Sequence, residues 1–263
     1  MRTNSFNSNP VWRTVLLVAV LFTASPAAAN KGYKIFKEVN KRFQGYKHYT
    51  ADTKMILKDG KGESFTRELT IKVLEGKSHD KTMIIFSSPA DLKNTALLTY
   101  WDRSQNVQYL YLPSLKRTKR ILGSNQSSPF VGSEFSYEDL VPVTLSQFQY
   151  KFMKTTKYKG KPHFVVELRP KFSDSGYKRK VAYVEKKRYL VSKMKLYNRA
   201  NQHIKTLTID KFKQYKGRFW LPKKSVMANH KTKKSTVLNR ESVDFRTRLP
   251  ASDFTEASLK RIR

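Results

Sequence analysis

The sequence predicts a mainly β protein of the α+β class, organised on a single antiparallel sheet of about 11 strands. Segments rich in β-branched and aromatic residues recur along the chain, and polar turns such as Asp59–Gly62 separate them. No long helix comes between these segments, so consecutive strands are expected to pair as antiparallel neighbours. A sheet of this size cannot stay flat and must curl or close.

One amphipathic helix is predicted before the sheet, at Lys31–Phe43. There Ile35, Phe36 and Val39 recur at helical spacing, with lysines on the opposite side. The end of the chain, Pro250–Arg263, is expected to add one short element. The predicted strands are Thr50–Leu57, Ser64–Leu74, Lys81–Ser87, Thr95–Trp101 and Val107–Leu112, followed after a central loop by Phe148–Lys157, Phe164–Arg169, Lys180–Glu185, Val191–Tyr197, Lys205–Phe212, Arg218–Met227 and Thr236–Phe245.

The composition supports one folded domain without disulfides. Hydrophobic residues make up 39% of the 263 residues and aromatic residues 13%, which is enough for a packed core and argues against disorder. No repeat or low-complexity linker is present, so residues 30–263 are predicted to form a single domain. The absence of cysteine excludes disulfide bonds, a thiolate nucleophile, a cysteine zinc site and a lipid-modified N-terminal cysteine.

The N-terminal segment has the pattern of a secretory signal peptide. Arg2 and Arg13 precede the apolar run Val15–Ala24, and small residues with an A-x-A site follow it. The apolar run is too short to span a bilayer comfortably, since a transmembrane helix needs about 20 residues. Residues 1–29 are therefore predicted to be a signal peptide cleaved near Ala29, and the mature protein is expected in the periplasm.

The net charge of +33 reflects 53 lysines and arginines against 20 aspartates and glutamates. Such a balance is typical of proteins that bind nucleic acid or an anionic membrane surface. The basic residues are spread through every strand-like segment, so a generic basic surface is an equally good interpretation. Export and dispersed charge together argue against nucleic acid as a partner and leave transient contact with an anionic membrane.

The central block, Pro89–Leu140, combines a predicted hairpin with an aromatic loop. Val107, Tyr109 and Tyr111 share one face of the hairpin, while Leu110 and Leu112 share the other, so both faces must be covered. A helix is expected on one face, and on the other a closed core and an apolar ligand cavity remain alternatives. The candidate cavity residues are Leu97, Leu98, Trp101, Tyr109, Tyr111, Phe130, Phe135 and Tyr137, and the candidate basic rim is Lys116, Arg117, Lys119 and Arg120.

The loop after the hairpin is expected to be ordered by a helix cap. Ser136 to Asp139 fits the [ST]-x-x-[DE] pattern, which starts a short helix at Tyr137. Capping and neutralisation of nearby lysines therefore explain Glu138 and Asp139 better than paired acid–base catalysis does. The cap and loop residues are Gly132, Ser133, Ser136, Glu138 and Asp139. The chain carries no histidine pair at metal-ligand spacing and no nucleophile or phosphate motif, so no catalytic residue, metal or cofactor is predicted.

These residues resemble the LolA-like family of outer-membrane lipoprotein-sorting proteins. The resemblance is carried by Thr95–Leu98, by Tyr109–Pro113 with its following basic residues, and above all by Phe130–Asp139. Gly217–Pro222 is similar to a G-x-x-x-x-P strand start in the branch whose members often accompany RND/MMPL-type exporters.

The resemblance implies an incomplete β-barrel with helices covering the open side and a hydrophobic cavity for acyl chains. It further implies a periplasmic carrier of lipid or lipoprotein acyl chains that works with an inner-membrane RND/MMPL-type transporter and has no enzymatic activity. The alternative is a non-transporting accessory module that docks on an exporter or an anionic envelope surface through its basic face.

Overall fold

The computed structural model describes residues 26–76, 80–101 and 106–262, and within them the chain forms 13 strands and two α-helices. The predicted signal peptide lies almost entirely outside these residues. The elements are α1 (Pro26–Lys41), β1 (His48–Lys58), β2 (Ser64–Leu74), β3 (Asp80–Ser88), β4 (Ala96–Trp101), β5 (Asn106–Leu112), β6 (Arg117–Ile121), β7 (Phe148–Tyr158), β8 (Lys161–Pro170), β9 (Tyr177–Glu185), β10 (Val191–Asn198), β11 (His203–Tyr215), β12 (Phe219–Asn229), β13 (Ser235–Arg240) and α2 (Glu256–Leu259).

All the strands belong to one antiparallel sheet that does not close. The strand order is β6-β5-β4-β3-β2-β1-β13-β12-β11-β10-β9-β8-β7, so β6 and β7 are the two edges and the pairing of β1 with β13 joins the halves. This confirms the predicted fold class. The structure has 13 strands where about 11 were expected: each of the twelve predicted segments corresponds to a strand, and the basic segment Arg117–Ile121 adds edge strand β6. Edge strands commonly carry exposed lysine and arginine, which discourage pairing with another chain.

Helix α1 packs on the inner face of the sheet, over β7 and its neighbours. Its apolar side buries Ile35, Phe36 and Val39, which confirms the predicted amphipathic pattern. The helix begins at Pro26 and ends at Lys41, earlier than the predicted Lys31–Phe43. Gly32 allows the close approach, since a β-carbon there would lie 2.9 Å from the backbone nitrogen of Phe152.

The long connection 122–147 runs from one edge strand to the other and covers the rest of the inner face. Phe130 and Tyr137 pack against Phe86 and Leu97 of the sheet, and Phe130 and Leu97 are fully buried. Several short 3₁₀ turns order this connection, and one of them spans Tyr137–Leu140. Helix α1 and this connection therefore cover the inner face on both halves of the sheet.

The C-terminal segment 249–262 covers part of the outer face, on β3, β4 and β5. Leu249, Phe254 and Leu259 pack against Leu98 and Tyr111. The hydroxyl of Tyr100 donates a 2.6 Å hydrogen bond to the Phe254 carbonyl and holds the segment in place. Both faces of the hairpin are thus covered, as its apolar pattern predicts. Within the described residues, no helix has the length and apolarity needed to cross a membrane.

Candidate functional site

A cleft of about 800 Å³ lies on the outer face where the C-terminal segment leaves the sheet uncovered. This volume falls in the range of about 300–1,000 Å³ that is usual for small-molecule sites. Strands β2 to β6 form one wall, and residues 248–251 form the other. The apolar floor on the strands consists of Leu74, Tyr100, Val107 and Tyr109, and Leu249, Pro250 and Ala251 add apolar surface on the facing wall.

Strand pairing explains how the floor is assembled. Val107 lies directly opposite Tyr100, and Tyr109 follows two residues later on the same face of β5. The rings of Tyr100 and Tyr109 pack edge to face, with centroids 6.3 Å apart. Burial raises the pKa of the Tyr100 phenol, with Tyr109 adding to the effect, so Tyr100 stays neutral and donates to the C-terminal segment.

Three cationic side chains border the cleft: Lys81, Arg120 and Arg248. The ammonium of Lys81 lies 5.4 Å from the ring centroid of Tyr100, and the guanidinium of Arg120 lies 6.0 Å from that of Tyr109. These cations therefore stand over the aromatic floor, where the ring faces attract them.

The carboxylate that borders the cleft does not neutralise these cations. The two oxygens of Glu75 accept hydrogen bonds from the backbone nitrogens of Gly45 and Lys47, at 2.7 and 2.8 Å. Among the described residues, no carboxylate lies within ion-pair distance of the three cationic groups at the cleft. The site therefore combines an apolar floor with three cations that form no ion pair with any other described residue.

Comparisons with known proteins agree with this architecture. A family model with the description "Uncharacterized protein" matches residues 78–261. An outer membrane lipoprotein-sorting protein domain from Vibrio parahaemolyticus is 39% identical, with a TM-score of 0.86 over 89% of this chain and 100% of that chain. The chain belongs to the outer-membrane lipoprotein-sorting family. No curated protein matches it.

Two more distant solved structures show the fold of this family. A DUF1329 family protein from Desulfovibrio piger is 21% identical, with a TM-score of 0.83 over 88% of this chain and 99% of that chain. A LolA superfamily protein from Nitrosomonas europaea is 14% identical, with a TM-score of 0.67 over 86% and 98% of the two chains. The sheet of this lipoprotein-sorting family member is therefore LolA-like.

The predicted cavity residues of this family member do not share one cavity. Tyr109 lines the outer cleft. The other seven lie in different parts of the core. Leu97, Phe130 and Tyr137 pack together on the inner face, Leu98 and Tyr111 lie under the C-terminal segment, Trp101 packs with Tyr49 and Leu221, and Phe135 packs with α1.

The predicted basic rim also divides. Arg120 borders the cleft because it pairs with Tyr109 and shares its face of the sheet. Lys116, Arg117 and Lys119 are exposed at the start of β6 and along it, away from the cleft. Positive charge at this end of the sheet thus has two locations, one at the cleft and one at the edge.

The acidic residues of the loop anchor it to the sheet. Ser136 donates to Asp139 through its backbone nitrogen and its hydroxyl, which closes the turn that begins at Tyr137. Glu138 accepts from the Ser175 hydroxyl and the Gly176 nitrogen at 2.8 and 2.9 Å, and burial raises its pKa. These contacts make Glu138 and Asp139 structural groups of the loop.

Polar contacts fix the preceding turn in the same way. The hydroxyl of Ser133, which is buried, donates to the Phe135 carbonyl, while Gly132 adopts a positive φ of 72°. Arg67, which shares its face of β2 with Leu69, donates to the backbone carbonyl of Val131. The loop is therefore held from the inner face of the sheet.

Two histidines that are distant in sequence meet on the sheet. The rings of His203 and His230 have centroids 4.5 Å apart, and Nε2 of each lies 2.9 Å from the hydroxyl of Thr206. His79 lies outside the described residues. No group of three or more metal-ligating side chains occurs in the part of the chain that the structure describes.

Several cleft residues carry no signal that singles them out in the sequence. Leu74, Lys81 and Arg248 lie on three separate segments, and only the sheet and the C-terminal segment bring them together. The apolar residues Leu249, Phe254 and Leu259 in a largely polar tail are the available signal. They indicate that the tail packs on the sheet.

Proposed function

We propose that this protein is a periplasmic carrier that binds a hydrophobic cargo in the outer cleft. The observation that carries this proposal is the cleft itself, with its floor of tyrosine, valine and leucine side chains. Membership of the lipoprotein-sorting family supports it. The cargo we propose is a lipid or the acyl chain of a lipoprotein.

The energetics of transfer suit a carrier without catalytic groups. An acyl chain gains about 0.8 kcal/mol for each CH₂ that leaves water for an apolar site. Binding therefore needs apolar area and access, and the cleft is open to solvent along one side. Lysine and arginine near a membrane surface add about 1 kcal/mol each of attraction to anionic lipids.

The cellular setting is part of the same proposal. The N-terminal pattern that ends near Ala29 supports export across the inner membrane and work in the periplasm. The similarity to exporter-associated relatives supports delivery or acceptance of cargo at an inner-membrane RND/MMPL-type transporter, with transient contact to an anionic membrane. The transporter would supply the energy, since the fold is not one of a known enzyme family.

The test is the binding of a dansyl-labelled fatty acid to the mature protein, followed by fluorescence. Val107→Asn places an amide in the apolar floor and is expected to weaken binding about fivefold, which corresponds to about 1 kcal/mol for a half-buried valine. Val226→Asn is the matched control, because Val226 is also half-buried on the outer face, on β12. Equal affinities of the two variants and the parent protein would contradict the cleft as the cargo site.

A docking module is the second candidate, and the exposed basic edge favours it. Lys116, Arg117 and Lys119 project from the region of β6 without carboxylate partners among the described residues. Such a module would bind its partner in a salt-sensitive manner and take up no fatty acid. Uptake of the fatty acid would favour the carrier, since the docking module takes up none.

A further inference from the structure

We propose that the cleft selects an anionic amphiphile, with the acyl chain on the apolar floor and a phosphate head group held by Arg120, Arg248 and Lys81. This inference rests on the proposed carrier function and names the class of its cargo. It depends on how the cations are arranged around the floor and on the absence of ion-pair partners for them among the described residues.

The cations stand on opposite sides of the aromatic pair. Lys81 on β3 lies directly opposite Tyr100, and Arg120 on β6 lies directly opposite Tyr109. Neighbouring strands are about 4.8 Å apart, and the row of Arg120 lies two residues along the strands from that of Lys81, so the two backbone positions are roughly 16 Å apart. Arg248 borders the cleft from the facing wall, which the C-terminal segment provides.

The positive charge of Lys81, Arg120 and Arg248 is available to an anionic ligand. Glu75 is held by two backbone nitrogens, and the rings under Lys81 and Arg120 are neutral groups. An anionic head group would therefore replace water at these cations without breaking an ion pair of the described protein. Arginine presents a planar donor fork that binds phosphate in two places at once, which suits this head group.

The apolar floor restricts the ligand further. A small anion such as glycerol phosphate reaches the cations but leaves the floor in water. An uncharged amphiphile covers the floor and leaves the cations without counterions. A ligand with an acyl chain and an anionic head group covers the floor and pairs with the cations. The net charge of +33 favours its approach.

The test compares three probes by calorimetry on the mature protein: lysophosphatidylglycerol, the monoacylglycerol with the same chain, and glycerol phosphate. We expect the anionic lysolipid to bind most tightly and to lose affinity as salt is raised, because salt screens these exposed charges. Arg120→Gln and Arg248→Gln are each expected to weaken its binding about fivefold and to leave monoacylglycerol binding unchanged. Arg117→Gln is the matched control, since Arg117 lies on the same strand away from the cleft.

The outcomes separate the inference from the function on which it rests. Equal binding of the lysolipid and the monoacylglycerol, with no effect of Arg120→Gln or Arg248→Gln, would overturn the inference and leave the carrier function intact. Failure of both acylated probes to bind would overturn the carrier function itself. Binding of glycerol phosphate as tightly as the lysolipid would show a site for free phosphate and would also overturn the inference.

Discussion

Asp139 is expected to be the residue on which the connection 122–147 most depends for its stability. One oxygen of its carboxylate lies 3.7 Å from the ammonium of Lys180, and the two side chains are only 5% and 7% exposed. The other oxygen accepts hydrogen bonds from the backbone and hydroxyl of Ser136 and from the Tyr177 hydroxyl. Asp139→Asn preserves the shape of the side chain and removes its charge, so it leaves Lys180 as a buried cation without this partner.

The size of the effect follows from that burial. Removing one member of a buried ion pair costs about 3–5 kcal/mol of unfolding free energy. Glu138 moderates the loss. Burial raises its pKa, attraction to Lys180 opposes that, and the charge of Asp139 adds to the rise. Without Asp139 the neighbouring carboxyl ionises more readily and compensates part of the charge, so we expect a loss of about 2–4 kcal/mol.

Urea denaturation followed by intrinsic fluorescence measures this loss. Asp210→Asn is the control, because Asp210 pairs with Lys159 at 2.7 Å with both side chains exposed, and such pairs contribute less than about 1 kcal/mol. The double variant Asp139→Asn with Lys180→Met should recover part of the loss, since it removes the unpaired cation. A loss for Asp139→Asn no larger than that for Asp210→Asn would refute the reasoning.

Two further predictions concern α1 and the histidine pair. Gly32→Ala should lower the unfolding free energy by about 1–3 kcal/mol in urea denaturation, because its β-carbon would meet the Phe152 backbone, although alanine favours helix by about 1 kcal/mol. A stabilised Gly32→Ala protein would contradict this packing. Burial and then His230 lower the pKa of His203, so proton NMR should give a midpoint below the ordinary value of about 6.5, and His230→Gln should raise it. At a pH between the two pKa values the unfolded state binds more protons at His203 than the folded state does. The contribution of neutral His203 to the unfolding free energy is therefore present above a pH of about 6.5 and is lost as the pH falls below it. An unshifted NMR midpoint would refute the prediction.

Most of the sheet was predictable because apolar and polar residues alternate along a strand that is buried on one face. Leu69 and Val73 on β2 are buried at positions that alternation assigns to one face, and Arg67 on the same face contacts the Val131 carbonyl on the inner side of the sheet. Strand β6 was not predictable in this way. Its lysines and arginines hide the alternation, and an edge strand with one neighbour needs few apolar side chains.

The candidate site was only partly predictable for a different reason. Tyr109 and Arg120 border the cleft, and the sequence indicates both because they belong to the aromatic and basic central block. The rest of the cleft depends on where the C-terminal segment crosses the sheet, and this crossing is fixed by long-range packing of residues such as Phe254. The eight predicted cavity residues do not line one cavity because successive residues of one strand point to opposite faces of the sheet, as Leu97 and Leu98 do.

The carrier function is tested most directly by native mass spectrometry with lipid extraction on the mature protein isolated from periplasm. We expect a co-purifying acyl species on the parent protein and on the Val226→Asn variant, and a reduced amount on the Val107→Asn variant, whose altered side chain lies in the cleft. A parent protein that carries no acyl species, and that also takes up no fluorescent fatty acid after purification, would contradict the account and favour a docking module.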